Sequence, residues 1–204
     1  VKQAYPLMLA VSGLQIVIVG GGAVAARKAA GLFAAGARRI RVVSPDFPAE
    51  FPEGIDRLLR CYHPQDLQDA DLVFAATNST AVNDAVVSDA NALGIWVNRA
   101  DGSDTLPGDF STPAKFEFDA ITVTVSAGSP ALAAMIRDGL KQRFDPAWAA
   151  MADAMKILRP LVLSSGLDAA KRAEIFHSLA TAEAIEILRN RGIHGLKEWI
   201  ARQS

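Results

Sequence analysis

Cysteine is almost absent from this chain: Cys61 is the sole one among 204 residues. That excludes an intramolecular disulfide, disfavours a thiolate metal site and makes a reducing cytoplasm the expected setting. Long hydrophobic runs are missing as well. No stretch approaches the roughly 20 apolar residues that span a bilayer, and the apolar stretch before Ser12-Gly13 is too short to read as a signal peptide. No charge sign dominates: 21 Lys and Arg face 22 Asp and Glu, a net charge of −1. Neither nucleic acid nor a membrane is therefore expected as a partner. Histidine is scarce, and His63, His177 and His194 form no pair at helical spacing, so no metal site is expected. No nucleophile elbow is present, which argues against a Ser/His/Asp hydrolase. What the chain does have is 50% hydrophobic residues, enough for a substantial core in one large domain or a domain with an appendage.

The most informative stretch is Gln15-Ile-Val-Ile-Val-Gly-Gly-Gly-Ala-Val-Ala-Ala-Arg-Lys28. An apolar run, Ile16 to Val19, meets Gly20, Gly21 and Gly22 and then an alanine-rich helical pattern through Ala23 and Val24. Gly20-x-Gly22-x-x-Ala25 thus lies across a strand, a tight turn and a helix start. Glycines let the backbone approach a pyrophosphate closely, a small Ala25 lets the helix pack near the strand, and the N–H groups of the helix start face the anion. A dinucleotide cofactor is expected, and the N-terminal half reads as a Rossmann unit. The alternative is a structural turn that holds no ligand.

Strand and helix signals then alternate. Leu14–Val19, Ile40–Val43, Leu58–Tyr62, Leu72–Ala76 and Ile95–Asn98 read as strands, with helices over Ala23–Ala35 and Thr80–Leu93. This rhythm predicts an α/β fold with a parallel sheet flanked by helices. Residues 101–114 break it as a long loop with Gly102, Pro107, Gly108 and Pro113. Ile121–Val125 alternates strictly, as a half-buried strand does. Ser129 is placed to cap the next helix, with Pro130 at its first position. Asp145-Pro146 restarts a helix, Ser165-Gly166 ends it, Asp168 caps another, and Gly192 and Gly195 punctuate the end. The organisation is a Rossmann part over 1–113, a strand-plus-helix connector over 114–145 and a helical part over 146–204.

Ser44-Pro45-Asp46 ends the second strand, where an acid contacts the adenosine ribose of NAD. Ser44 can accept or donate a bond, Asp46 is slightly late, and Pro45 stands where a phosphate-clamping Arg often sits, so NAD is favoured over NADP. Ala75-Ala76-Thr77-Asn78 ends a core strand with small residues; Thr77 or Asn78 could contact the nicotinamide half. Asp101 follows Ile95–Asn98 at the carboxyl edge of the sheet, where a carboxylate can accept a proton or orient a cationic nitrogen. Asp104 and Asp109 share that loop, and the residues alone do not choose among the three. Basic residues on the later helices, Arg137, Lys141, Arg143, Lys156, Arg159, Lys171 and Arg172, read either as solvated faces or as a cationic cleft for a polycarboxylate.

Taken in order, several blocks resemble the precorrin-2 dehydrogenase/sirohydrochlorin ferrochelatase family of sirohaem synthesis. They are Gly20–Lys28, Ala35-Gly-Ala37, Val42-Val-Ser-Pro45, Ala75–Asn78 with Asn83, Val97-Asn98 with Asp101, Asp109-Phe110 with Pro113-Ala114, and Ser129-Pro-Ala-Leu-Ala133. The resemblance covers residues 14–143; the later helices match only in kind. It implies a Rossmann domain, a dimerisation segment over 114–145 and a small helical domain, working as a homodimer. It implies NAD-dependent oxidation of precorrin-2 to sirohydrochlorin and, in some members, insertion of ferrous iron as a second substrate. Asp101 takes the place of the family's catalytic aspartate, Asn98 joins the cofactor-binding set, and Ser129 stands near the tetrapyrrole. The chain departs from the family in having Arg99 and Ala100 where two hydrophobic residues are usual, in a longer loop from Asp101 to Asp109, and in a shorter Ser126–Ser129. A non-enzymatic NAD(H) sensor, a chelatase-only descendant and another small-molecule NAD dehydrogenase are the competing readings.

Overall fold

Ile16-Val-Ile-Val19 alternates its side chains between two faces, yet all four are buried, so both faces of this strand must be covered. The structure is a computed structural model that describes residues 4–102 and 106–202. Asp104, one of the three loop acids, lies outside the described residues. Strand β1 (Gln15–Val19) leads to helix α1 (Ala23–Ala34), then β2 (Arg39–Ser44), β3 (Asp56–Leu59), β4 (Leu72–Ala75), α2 (Thr80–Ala92) and β5 (Trp96–Arg99). The five strands form one sheet in the order β3-β2-β1-β4-β5, and every pairing is parallel. The order reverses between β1 and β4, the switch point beyond which open α/β sheets bind their ligands.

Each face of the sheet has its own core. Ile16, Ile18, Val42 and Phe74 pack with Ala25 and Ala29 of α1. Val17, Val19, Val73, Ala75 and Val97 pack with Val86, Val87 and Ala90 of α2. Burying each aliphatic side chain fully contributes about 1.5–3 kcal/mol, so the sheet is the rigid base for whatever stands at its edge.

The third strand starts two residues earlier and ends three residues earlier than the sequence suggests. It ends where β2 ends: Arg60 N–H still reaches the Ser44 carbonyl, and then His63 and Asp66 close a capping box around a short 3-10 turn, Pro64–Leu67. Residues Cys61 and Tyr62 are drawn out of the ladder by that turn.

The chain divides into two compact units, Val1–Thr112 and Pro113–Ser204. The second opens with a strand the sequence reading did not mark, β6 (Ala114–Phe118), paired antiparallel with β7 (Ile121–Val125). Its two-residue turn places Asp119 at φ 47°, a left-handed conformation that Asp tolerates better than most residues. Lys115 and Glu117 alternate outward along β6 while Phe116 turns inward. Helices α3 (Pro130–Gln142), α4 (Pro146–Leu163), α5 (Ala169–Leu179) and α6 (Ala182–Ala201) follow. Leu158, Val162, Ile175, Leu179 and Leu196 form the core of the last three. Asp145 and Asp168 cap α4 and α5 through their carboxylates, at 2.9 and 2.8 Å. Ser129 occupies the N-cap position of α3, but its side chain makes no capping bond there. Gly192 does interrupt the last helix: at φ 60° and ψ −166° it is non-helical, and a second helical stretch runs on from it to Ala201, so Gly195 does not act as a stop. Gly195 is buried within that stretch, where a Cβ would come 2.5 Å from that of Arg191. The described helices include none long and apolar enough to cross a membrane.

Candidate functional site

The turn after β1 is shaped by what its residues lack. Gly20 has φ +129°, and a Cβ on it would lie 2.3 Å from the carbonyl oxygen of Ala76. Its own N–H donates to Val43, so the turn is tied across to β2. A Cβ on Gly21 would lie 1.9 Å from the Asp46 carbonyl oxygen and 2.7 Å from the Ser44 hydroxyl. Gly22 differs from both: a Cβ there would meet nothing within 4 Å. Gly22 is also the N-cap of α1, no side chain caps that helix start, and no acid stands in its first turn. Ala23 and Val24 are exposed beside it. The helix therefore presents its positive end and its first N–H groups to open space, as pyrophosphate binding requires.

The β2 end is built differently from its reading in the sequence. The Ser44 hydroxyl is buried and donates to the Asp46 carbonyl at 2.6 Å, so it braces the turn. Pro45 and Asp46 are exposed, and the Asp46 carboxylate is the charge carried on that turn. The nearby Arg60 guanidinium is held by both carboxylate oxygens of Asp66. That pairing pulls the Asp66 carboxyl below the usual range and leaves Arg60 engaged within its own strand-end turn.

At the end of β4, Thr77 and Asn78 open the turn into α2. Thr77 is organised by a residue outside the candidate set, Asn83, which is fully buried in the first turns of that helix. Asn83 Oδ1 accepts from the Thr77 N–H at 3.1 Å and lies 2.8 Å from the Thr77 hydroxyl. Asn83 Nδ2 donates to the Thr77 carbonyl at 3.1 Å and to Asp101 Oδ2 at 2.8 Å. Asn83 appears in the sequence only as part of a resembling block. Its signal was legible, since Asn83, Val86, Val87 and Ala90 share one buried helical stripe, and an amide on such a stripe must find partners.

The loop after β5 separates its acids. Asp109 accepts from the Val97 N–H at 2.9 Å and returns its own N–H to the Val97 carbonyl, so it covers the sheet edge. Gly108 lies so close to β5 that a Cβ would be 2.6 Å from the Val97 carbonyl oxygen. The Asp101 side chain, 23% exposed, is gripped by Arg99, whose own side chain is only 2% exposed. Arg99 was the other missed residue. Its signal was a cation at the end of a short strand of the buried type, where charge is costly unless paired.

Asn98, 4% exposed at the end of β5, donates through Nδ2 to the Phe110 carbonyl at 2.8 Å. Its Oδ1 is buried with no hydrogen-bond partner. An acceptor in that condition calls for a donor from a ligand or an ordered water. Nearby, Lys28 of α1 sits over the Phe74 ring and donates to the Thr112 hydroxyl at 3.1 Å. Burial, reinforced by the adjacent Arg27, pulls the Lys28 ammonium down to about 8. The open Gly22 cradle, the uncapped α1 start and the orphaned Asn98 oxygen all fit a dinucleotide.

A family model described as "Putative NAD(P)-binding" matches residues 7–114. The chain belongs to this NAD(P)-binding family. It is 38% identical over 156 residues to the siroheme synthase of Nitrosomonas eutropha, an alignment that covers 72% of this chain and 32% of that protein. It is 37% identical over 164 residues to the siroheme synthase of Stutzerimonas stutzeri, covering 77% and 35% respectively. The chain thus spans about a third of the length of the curated relatives it matches. The solved structure of SirC, precorrin-2 dehydrogenase, matches with a TM-score of 0.77 over 98% of this chain and 100% of that one, at 23% identity. The two share a fold: a five-stranded parallel Rossmann-like sheet, a β-hairpin and a C-terminal helical region.

The remaining candidates lie in the second unit. Ser129 is half-buried at the start of α3. Arg137, Lys156 and Lys171 pair with Asp138, Asp153 and Glu174 on exposed helix faces, where such pairs contribute little. Arg159 lies over the Phe176 ring. Among the described residues, no group of three or more His, Cys, Asp or Glu is arranged to hold a metal ion.

Proposed function

We propose that this chain is an NAD-dependent precorrin-2 dehydrogenase of sirohaem synthesis, which converts precorrin-2 and NAD⁺ to sirohydrochlorin, NADH and a proton. The observation that carries the reading is a carboxylate, Asp101, fixed by Arg99 and Asn83 at the carboxyl edge of a glycine-fingerprint Rossmann sheet. A module that only senses NAD(H) needs the fingerprint and has no use for a buried arginine anchoring an acid at the sheet edge.

NAD⁺, when bound, supplies the hydride acceptor. The Gly20-Gly21-Gly22 turn, with Ala23 and Val24, receives its pyrophosphate. Asp46 faces the adenosine ribose, and the engagement of Arg60 by Asp66 removes a nearby clamp for a 2′-phosphate, which supports NAD over NADP. Thr77, Asn78 and Asn98 stand toward the nicotinamide. Asp101 acts on the tetrapyrrole, taking the proton lost with the hydride or holding the pyrrole N–H groups in place. Positioning supplies much of the rate. Ser129 is the substrate-binding candidate of the second unit.

By role, the chain divides into an NAD-binding domain over 1–113, a dimerisation segment over 114–145 and a helical domain over 146–204. The protein works as a homodimer in the cytoplasm. The dimer is supported by α3, which exposes Leu132, Met135, Ile136 and Leu140 at positions that share one helical face.

The test is anaerobic absorbance with precorrin-2 and NAD⁺. NADH appearing together with the sirohydrochlorin spectrum supports the dehydrogenase. Retained NAD⁺ binding without turnover refutes it and favours a sensor.

A further inference from the structure

Arg99 ends β5 with its side chain almost wholly withdrawn from water. A guanidinium in that position is stable only if its donors are met. Nε donates to Asp101 Oδ1 at 2.6 Å and one terminal nitrogen to Asp101 Oδ2 at 3.1 Å. The other terminal nitrogen donates to the Leu106 carbonyl at 2.9 Å and to Asp84 Oδ1. The pairing with Asp101 is bidentate, and a planar fork sets the plane of a carboxylate as well as its position, which an ammonium does not do. Asp84 is 44% exposed on α2, so solvent screens it more than it screens Asp101.

Asn83 grips the same carboxylate from α2 and simultaneously holds the Thr77 turn. Asp101 is thus fixed from the strand below it and from the helix beside it. The second grip connects it to the turn that stands toward the cofactor.

We propose that Arg99 is a positioning residue for Asp101: its fork holds the carboxylate in one orientation, so that Asp101 serves as a fixed acceptor for the tetrapyrrole N–H groups. The inference rests on the dehydrogenase reading and deepens it, because it chooses between the two roles that reading allows Asp101. A carboxylate already paired with a buried guanidinium is a weak base but a strong acceptor of hydrogen bonds.

The experiment is a double-mutant cycle on the full chain, read as NADH formation from precorrin-2, with NAD⁺ affinity measured separately. Arg99→Lys keeps the charge and loses the fork; Arg99→Met loses both. The expected result is a kcat lowered by about tenfold or more in Arg99→Lys and further in Arg99→Met, with NAD⁺ affinity within about twofold of wild type. In an Asp101→Asn background, the same substitutions at Arg99 produce little additional loss, because Arg99 acts through Asp101. Wild-type kcat in Arg99→Lys overturns the role of the fork. Equal fractional losses with and without Asp101 overturn positioning and leave a structural role. If Arg99→Met does not fold, Arg99→Lys alone carries the cycle. A wild-type chain that binds NAD⁺ and forms no NADH overturns the dehydrogenase reading itself, and the role of Arg99 with it.

Discussion

The turn after β1 and the loop after β5 leave the same edge of one parallel sheet, and they are built on opposite principles. The first works by omission. Two glycines pack where no side chain fits, a third leaves open space, and the helix start goes uncapped. The second works by saturation. A buried cation, two carboxylates, an amide and a backbone carbonyl use one another's hydrogen-bonding groups within a few residues. A surface that receives a phosphate must offer N–H groups and room, whereas a side chain that acts on a substrate must be held still.

Substitutions that break this contrast rank by expected effect. Asp101→Asn is the most severe for turnover: kcat falls about a hundredfold or more. Asp84 still meets the Arg99 guanidinium, so the variant folds, and steady-state kinetics beside a calorimetric scan separates the two effects. Gly21→Ala comes next. Its methyl would need space now held by the Asp46 carbonyl, so unfolding free energy falls by about 1–3 kcal/mol and NAD⁺ binding is lost with it, as denaturant titration and fluorescence binding would report.

Gly22→Ala sharpens the comparison, because the protein itself leaves that space open. Stability stays within about 0.5 kcal/mol of wild type, while the methyl intrudes on the pyrophosphate and weakens NAD⁺ binding by about tenfold. Unchanged affinity would show that the cradle is not used.

At neutral pH the smallest effect concerns Lys28, whose ammonium bonds Thr112 at the far end of the β5 loop. Its folded value, about 8, lies below its ordinary 10.5. Between those pH values the unfolded chain holds the proton more tightly than the folded one, so stability rises with pH across that window. Below pH 8 the residue is charged in both states and contributes no slope. Lys28→Met should remove this rise from a series of thermal scans.

The contrast between the two turns also explains which parts of the site could be read in advance. Gly20 to Gly22 are legible because omission is written in the sequence: three glycines between a strand and a helix have few other uses. The grip on Asp101 was not, because it joins residues 77, 83, 84, 99 and 101 across two strands and a helix. Asp101 and Asp109 look alike along the chain, and only the path of the loop sends one carboxylate to Arg99 and the other to the Val97 N–H. Ser44 illustrates the same limit. Its position at the β2 end was evident, but the direction of its hydroxyl depended on the Asp46 carbonyl folding back over Gly21.

In the second unit, β7 is recognisable from strict alternation, while β6 carries Lys115 and Glu117 on its outward positions and a single buried Phe116. A two-stranded hairpin needs only one inward face, so its strands carry charge that a central strand of the Rossmann sheet could not. Of the two late glycines, Gly192 does break the helix, with a non-helical backbone, whereas Gly195 is enclosed within the stretch that follows.

By itself, the sequence determined the parallel sheet, the fingerprint turn and the helical character of the C-terminal part. Each of these is a local pattern of apolar spacing or backbone permissiveness that holds wherever the segment is placed. The tertiary structure decided which acid is gripped, which hydroxyl is turned inward and which amide oxygen is left without a donor. Those outcomes depend on groups far apart in sequence meeting within about 3 Å, where hydrogen bonds form.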